Sequence, residues 1–176
     1  LTSRGIDTSS IERVPGGRTF FWRGHYEHDM NVAHTEQTEL GVFADFEPKL
    51  SPEAASADVV FLGNIQPQLQ RQVRAQCAGA RFAALDSMNH WIEGARDALI
   101  EAISEVDCVI LNDAEIRMLT EDPNLARAAR RVMEMGPRIV VAKQGEYGAA
   151  LFTPDGFFGL PGMPLEDVRD PTGAGD

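Results

Sequence analysis

From residue 58 onward, short apolar runs alternate with longer amphipathic stretches, and this alternation constrains the fold more than any other feature of the sequence. The apolar runs predict strands near residues 58–62, 81–85, 107–111 and 138–143. The stretches between them predict helices near residues 67–77, 92–104, 113–120 and 124–135. Repeated β-α units predict an α/β fold, with a mostly parallel sheet and helices on both of its faces. Ligand sites are then expected at the carboxyl ends of the strands.

Beyond Lys143 the pattern changes to two short strands, near residues 149–152 and 157–160. The segment Thr153-Pro154-Asp155-Gly156 between them supplies turn residues, so a β-hairpin is predicted here.

The amino-terminal part of the chain is rich in Thr, aromatic, His and acidic residues and shows alternation rather than helical periodicity. Strands are predicted at residues 18–23 and 38–43. Ser51 followed by Pro52 then predicts the start of a helix, with the serine as its cap and the proline at its first position.

The chain carries 27 acidic and 16 basic residues, which gives a formal net charge of -11. A surface of this sign repels nucleic acids and anionic membranes, so neither is expected as a partner. No window reaches the roughly 18 consecutive apolar residues of a membrane helix, and no secretion signal is visible, so a cytoplasmic protein is expected. Cys77 and Cys108 lie in apolar stretches without metal-ligand spacing and are predicted to be buried free thiols.

The last seven residues, Asp170-Pro171-Thr172-Gly173-Ala174-Gly175-Asp176, carry the most chemical information. Small residues at 173–175 let the backbone turn tightly, and a helix that begins there would expose consecutive amides as an anion hole for phosphate. Asp176 would then lie in the first turn, where its carboxylate can accept a proton from a substrate hydroxyl. The alternative interpretation is an ordinary glycine turn with an aspartate near a helix start.

This carboxyl-terminal segment resembles the second signature of the ribokinase-like carbohydrate kinases of the phosphofructokinase-B type. It is not a Walker loop, because no Gly-Lys-Ser/Thr follows it. Three further segments resemble motifs of this family in the family's order: Asp86-Ser87-Met88-Asn89 (its Asp-x-Asn element, with one extra residue), Asn112-Asp113-Ala114-Glu115 (its Asn-x-x-Glu motif) and Lys143-Gln144-Gly145-Glu146-Tyr147-Gly148-Ala149 (its nucleotide-binding strand and turn).

The resemblance implies a ribokinase-like, Rossmann-type fold, with a β-lid and connecting segment at residues 1–50 and a partial α/β kinase core at residues 51–176. It implies an enzyme that uses ATP and Mg²⁺ to phosphorylate a hydroxyl group of a small sugar or sugar-like substrate. Two parts of the family pattern are absent: a first glycine-rich signature before Leu1, and the helix and adenine loops after Asp176. The chain is therefore expected to be a fragment with little or no kinase activity of its own.

The resemblance also implies a role for each site residue. Gly173, Ala174 and Gly175 would supply the anion hole, Asp176 the general base, and Thr172 a contact to the nucleotide. Asn112 and Glu115 would lie near the magnesium-phosphate group, with Glu115 reaching the metal through water. Gly145 and Gly148 would let the nucleotide approach the backbone. Lys143 is either a phosphate contact or a solvated lysine at a strand end.

Histidines and acids of the lid segment could suggest a metal site, but their spacing matches no common zinc site, and no metal role is predicted for them. These residues are His25, Glu27, His28, Asp29, His34 and Glu36. In the family interpretation, Tyr26, Asp29 or Asn31 would touch substrate. Phe20 and Trp22 lie on one strand face and either close over a ligand or pack between two lids, so a homodimer through the lid is one expectation.

Two alternatives to a sugar kinase stay open. One is a nucleoside kinase of the same fold, whose aromatic lid would stack on a base. The other is a nucleotide-binding module without turnover. The presence of Asp176 argues against that module, because a protein that only binds nucleotide has no need of a general base.

Overall fold

The computed structural model describes residues 2–27 and 33–173. The chain divides into two compact units, one made of residues up to 49 together with those from 165 onward, and the other of residues 50–164. The sequence also predicts a division near residue 50. It places the carboxyl-terminal segment in the kinase core, however, whereas residues 165–173 group with the amino-terminal unit.

The first unit contains a two-stranded antiparallel sheet, formed by β1 (Phe21–Tyr26) and β2 (Ala33–Glu39). Both predicted strands are displaced along the chain, and the one predicted at residues 38–43 is wrong in position. Gly41 ends the strand region because its φ of 57° is left-handed, and a Cβ there would lie 2.2 Å from the Arg18 carbonyl oxygen. The chain continues from Gly41 as a short 3-10 helix.

The second unit is built on a six-stranded sheet whose strands follow one another in chain order. The strands are β3 (Val59–Leu62), β4 (Phe82–Asp86), β5 (Cys108–Asn112), β6 (Ile139–Lys143), β7 (Ala149–Thr153) and β8 (Gly156–Leu160). The first four are parallel, and the last two add an antiparallel hairpin. The predicted α/β fold with a mostly parallel sheet and a separate small β-sheet is confirmed.

One short helix precedes this sheet, and the helices that follow it connect the parallel strands. They are α1 (Pro52–Ala55), α2 (Pro67–Gln76), α3 (Asn89–Gly94), α4 (Arg96–Ser104), α5 (Asp113–Thr120) and α6 (Leu125–Glu134). Ser51 caps α1 as predicted, since its hydroxyl accepts a hydrogen bond from the Ala54 N–H at 3.1 Å. The helix predicted at residues 92–104 is instead two helices, because the backbone of Ala95 (φ -145°, ψ 38°) interrupts the helical path.

The hydrophobic core lies between the helices and one face of the sheet. Side chains alternate along a strand, so Val109 and Leu111 of β5 point into this core and are fully buried. Val59 and Phe61 of β3 point the other way and are about 60% exposed. The sequence predicts helices on both faces; among the described residues, the buried helical side chains cluster with strand residues of this one face.

Both cysteines are buried and free, as predicted. Burial raises the pKa of the Cys108 thiol to about 11. Within the described ranges, the chain forms no helix with the length and apolar character that crossing a membrane requires.

Candidate functional site

Three neighbouring parallel strands end on polar residues at the same edge of the sheet. Strand β4 ends at Asp86, β5 at Asn112 and β6 at Lys143, and Glu115 follows in the first turn of α5. We call these four residues the strand-end cluster. Their position agrees with the general rule that ligands bind at the carboxyl ends of strands in open α/β sheets.

Asn112 and Glu115 form a capping box at the start of α5. The Asn112 side-chain oxygen accepts a hydrogen bond from the Glu115 N–H at 2.7 Å, and the Asn112 N–H donates to Glu115 Oε2 at 2.8 Å. Two backbone N–H groups at the helix start are thereby satisfied. The Asn-x-x-Glu spacing therefore has a structural role of its own, and it holds the Glu115 carboxylate at the carboxyl end of β5.

The electrostatic setting of Glu115 is mixed. Burial raises the pKa of its carboxyl group, while the Asn112 N–H and the Lys143 ammonium group lower it, and Asp86 and Asp113 raise it again; the net shift is upward. Glu115 is thus a carboxyl group in a partly desolvated position, and the charges of Lys143 and Asp86 both act on its pKa.

Lys143 and Asp86 form an ion pair, with Nζ and Oδ1 3.5 Å apart. Their side chains are 28% and 15% exposed, so the pair is sheltered from solvent more than a surface ion pair is. The sequence leaves two roles open for Lys143, a phosphate contact or a solvated strand-end lysine. The side chain is partly covered and paired with Asp86, and its role toward phosphate stays a prediction. Its contact with Asp86 is not among the features that the sequence predicts.

The Gln70 side chain of α2 is hydrogen-bonded to the backbone where β3 and β4 end. Its side-chain N–H group donates to the carbonyl oxygens of Gly63 at 2.9 Å and of Asp86 at 2.8 Å. Gln70 Oε1 and the hydroxyl of Ser87, which follows Asp86, are buried and have no hydrogen-bond partner among the described residues. Buried polar groups of this kind are normally satisfied by water or by a ligand.

The turn after β6 contains two glycines in the left-handed region. Gly145 has a φ of 56° and opens a 3-10 turn, and Gly148 has a φ of 97°. A Cβ on Gly148 would lie 2.0 Å from the Leu160 carbonyl oxygen and 2.5 Å from the Gly162 nitrogen. The packing of the chain against the end of β8 therefore requires glycine at 148 whether or not a nucleotide approaches.

The carboxyl-terminal motif is described as far as Gly173, in the first unit. The Thr172 N–H donates to Asp170 Oδ1 at 2.9 Å, and this contact lowers the pKa of the Asp170 carboxyl group. The Thr172 hydroxyl contacts the Tyr26 hydroxyl at 3.3 Å, and Gly173 has a φ of 77°. The predicted anion-hole residues Ala174 and Gly175 and the predicted base Asp176 lie outside the described residues.

The lid residues pair with one another in the first unit. His25 lies 3.1 Å from Glu36, His34 lies 3.4 Å from Glu27, and the two imidazole rings stack with centroids 5.2 Å apart. Among residues 2–27 and 33–173, no three His, Cys, Asp or Glu side chains are arranged to hold a metal ion. His28, Asp29 and Asn31 lie outside the described residues.

The aromatic residues of this unit pack within it. The Trp22 indole N–H donates to the Thr35 hydroxyl at 3.0 Å, across the two strands. Phe20 contacts Phe43 edge to face, with centroids 6.0 Å apart. Tyr26, the described member of the three candidate substrate contacts, lies next to the carboxyl-terminal motif through Thr172.

The strand-end cluster fits a magnesium-nucleotide in its chemistry. Mg²⁺ takes oxygen ligands and is usually held by one or two carboxylates together with substrate phosphates and water, rather than by a full protein cage. Asp86 and Glu115 offer carboxylate oxygens, and Lys143 offers a cation for phosphate. A separate groove of about 370 Å³, between α6 and the β7–β8 turn, lies at the opposite edge of the sheet and holds none of these groups.

The sequence matches the pfkB family of carbohydrate kinases over residues 1–176, and the chain belongs to this family. A cytidine kinase from Thermococcus kodakarensis is 30% identical over 177 residues, which cover 97% of this chain and 62% of that protein. The chain thus spans a little under two thirds of the length of this relative.

Solved structures that share the fold include the following two. A candidate ribokinase II from Escherichia coli, in complex with ATP and Mg²⁺, superposes with a TM-score of 0.78 at 18% identity, over 99% of this chain and 60% of that one. A nucleoside kinase from Burkholderia thailandensis, in complex with inosine, superposes with a TM-score of 0.77 at 19% identity, over 99% of this chain and 56% of that one.

Proposed function

We propose that the protein is a kinase that uses ATP and Mg²⁺ to phosphorylate a hydroxyl group of a sugar or a nucleoside. The observation that carries the proposal is the strand-end cluster, which gathers an amide, two carboxylates and an ammonium group at the ligand-binding edge of a pfkB-family chain. When bound, ATP supplies the phosphoryl group and Mg²⁺ neutralises phosphate charge.

Each residue contributes a distinct step in this proposal. Asn112 fixes the Glu115 carboxylate, which would hold the metal through water, and Lys143 would contact phosphate. Thr172 would contact the nucleotide. The backbone amides of Gly173, Ala174 and Gly175 would bind the transferring phosphoryl group as an anion hole. Asp176 would accept the proton of the acceptor hydroxyl while the hydroxyl oxygen bonds to the γ-phosphorus of ATP and ADP leaves, a contribution of roughly 10²–10⁴-fold to the rate.

A nucleoside as acceptor is the second candidate. The cytidine kinase that is 30% identical and the nucleoside kinase solved with inosine both support it. The aromatic and hydroxyl side chains of Trp22 and Tyr26 on β1 are compatible with either a base or a sugar face, so the acceptor has to be found by assay. A homodimer through the β1–β2 sheet stays a prediction that sedimentation can test.

The test is a substrate screen on the full-length protein, by which we mean the complete open reading frame that contains this sequence. ADP release with Mg·ATP would be measured against cytidine, uridine, adenosine, inosine, ribose and fructose, with Asp176→Asn as the matched inactive variant. We expect acceptor-dependent ADP release from the parent protein and almost none from the variant. Tight Mg·ATP binding without ADP release for any acceptor would favour a nucleotide-binding module instead.

A further inference from the structure

Asp86 and Lys143 are paired although their strands are not neighbours. Strand β5 lies between β4 and β6, yet Lys143 Nζ and Asp86 Oδ1 are 3.5 Å apart. The lysine side chain must therefore cross the end of β5 to reach the carboxylate.

The register of the sheet explains how this is achieved. Asp86 is aligned with Ile110, and Asn112 two residues further on is aligned with Lys143. Residues two apart along a strand share a face, so Asp86 and Lys143 are on the same face of the sheet. The ion pair therefore spans the carboxyl end of the middle strand, β5.

The charged groups around Lys143 determine what a phosphate group would meet at this edge of the sheet. Asp86 is paired with Lys143, and the charge of Lys143 also acts on the Glu115 carboxyl group, whereas Asp113 is paired with Arg117. A phosphate group that enters this edge meets two negative charges, and a lysine with four rotatable bonds would otherwise spend much of its time in solvent. If Asp86 holds the Lys143 ammonium group in place, the ammonium group offsets the negative charge at this edge and does not have to be recovered from solvent.

We propose that Asp86 is a positioning residue that holds the Lys143 ammonium group at the carboxyl end of β5, ready to contact nucleotide phosphate. The inference rests on the proposed function, because it takes Mg·nucleotide as the ligand of this edge. It adds Asp86 as a residue that acts on the nucleotide through Lys143 rather than by touching it.

The experiment is a double-mutant cycle in the full-length protein with Asp86→Asn, Lys143→Met and the double variant. The dissociation constant of Mg·ADP is measured by calorimetry, and the KM values of Mg·ATP and of the acceptor are measured separately. We expect Lys143→Met to weaken Mg·ADP binding about tenfold, equivalent to about 1.4 kcal/mol, and Asp86→Asn to weaken it several-fold. The double variant should be no weaker than Lys143→Met alone, and the acceptor KM should stay within about twofold.

Asp86→Glu supplies the conservative rescue, because it keeps the carboxylate and should bind Mg·ADP within about threefold of the parent protein. The ion pair of Arg81 with Asp58, 3.0 Å apart at the amino ends of β3 and β4, supplies the matched control cycle. Asp58→Asn and Arg81→Met should leave Mg·ADP binding unchanged.

Two results would overturn the inference while the proposed function stands. One is additive losses in the double variant, which would mean that Asp86 acts on the metal or nucleotide independently of Lys143. The other is unchanged Mg·ADP binding in Asp86→Asn. Absence of both Mg·ADP binding and phosphoryl transfer in the parent protein would overturn the inference and the proposed function together.

Discussion

Asn112 and Glu115 cap each other at the start of α5, each side chain accepting the other's backbone N–H. The same two residues are predicted to stand next to the magnesium-phosphate group. One short motif would then serve both helix stability and the candidate site, and mutation can separate the two roles.

Asn112→Ala is expected to lower the free energy of unfolding by about 1 kcal/mol, the usual cost of a lost N-cap, and to raise the KM for Mg·ATP. Asn124 is the matched control, because it caps α6 through the Arg127 N–H at 3.0 Å and belongs to no candidate site. Asn124→Ala should cost similar stability with no change in KM. The KM for Mg·ATP and the free energy of unfolding in urea would be measured for both variants. Equal changes in KM would mean that the loss of helix stability alone explains the change in Asn112→Ala.

Asp122 should make stability depend on acid pH. A hydrogen bond from the Arg127 guanidinium is the largest cause that lowers the pKa of this carboxyl group from its ordinary 3.8. Because the folded state prefers the ionised form, the stabilisation is complete above pH 3.8 and is lost as the pH falls through the lower, folded-state pKa. The stability difference between the parent protein and Asp122→Asn should thus be largest near pH 7 and shrink below pH 3.8 in urea titrations. A difference that grows toward acid pH would contradict this assignment.

Gly148→Ala should be strongly destabilising. The φ of 97° and the approach to the Leu160 carbonyl oxygen leave no room for a methyl group, so a loss of about 2 kcal/mol or more is expected. Gly79→Ala is the control, because nothing lies within 4 Å of the position that its methyl group would take. Thermal unfolding would compare the two, and a Gly148 variant as stable as the Gly79 variant would show that the turn can relax.

The two thiols should resist alkylation in the native chain. Both are buried, and the Cys108 thiol, with a pKa of about 11, holds very little thiolate at pH 8. Iodoacetamide at pH 8 followed by mass spectrometry should find both cysteines unmodified in buffer and modified in urea. Comparable labelling rates with and without urea would contradict the burial of these residues.

Much of this fold can be predicted from the sequence because β-α alternation is a local pattern. The strands that end at Asp86, Asn112 and Lys143 are each within one residue of their predicted limits, so the sequence locates the edge where the candidate site lies. The capping box likewise follows from the spacing of Asn112 and Glu115.

The features that the sequence does not predict depend on contacts between distant segments. The ion pair of Asp86 with Lys143 requires the register of three strands, which no local pattern contains. The end of β2 is fixed by the approach of Gly41 to Arg18. The break at Ala95 directly follows Gly94, but an isolated glycine inside a helical pattern does not by itself require the helix to end there. The role of Asp176 is inferred from resemblance, and it stays a prediction.

The most direct test of the proposed function is Asp176→Asn in the full-length protein, with kcat and the Mg·ADP dissociation constant measured together. The predicted result is a fall in kcat of roughly 10²–10⁴-fold with nearly unchanged Mg·ADP affinity, because the amide is close in shape but cannot accept the hydroxyl proton. Asp167→Asn is the control in the same segment, since that carboxylate pairs with the exposed Arg169 and should be dispensable. A kcat for Asp176→Asn within about threefold of the parent, far less than a lost general base allows, would contradict the assignment of Asp176 as the base.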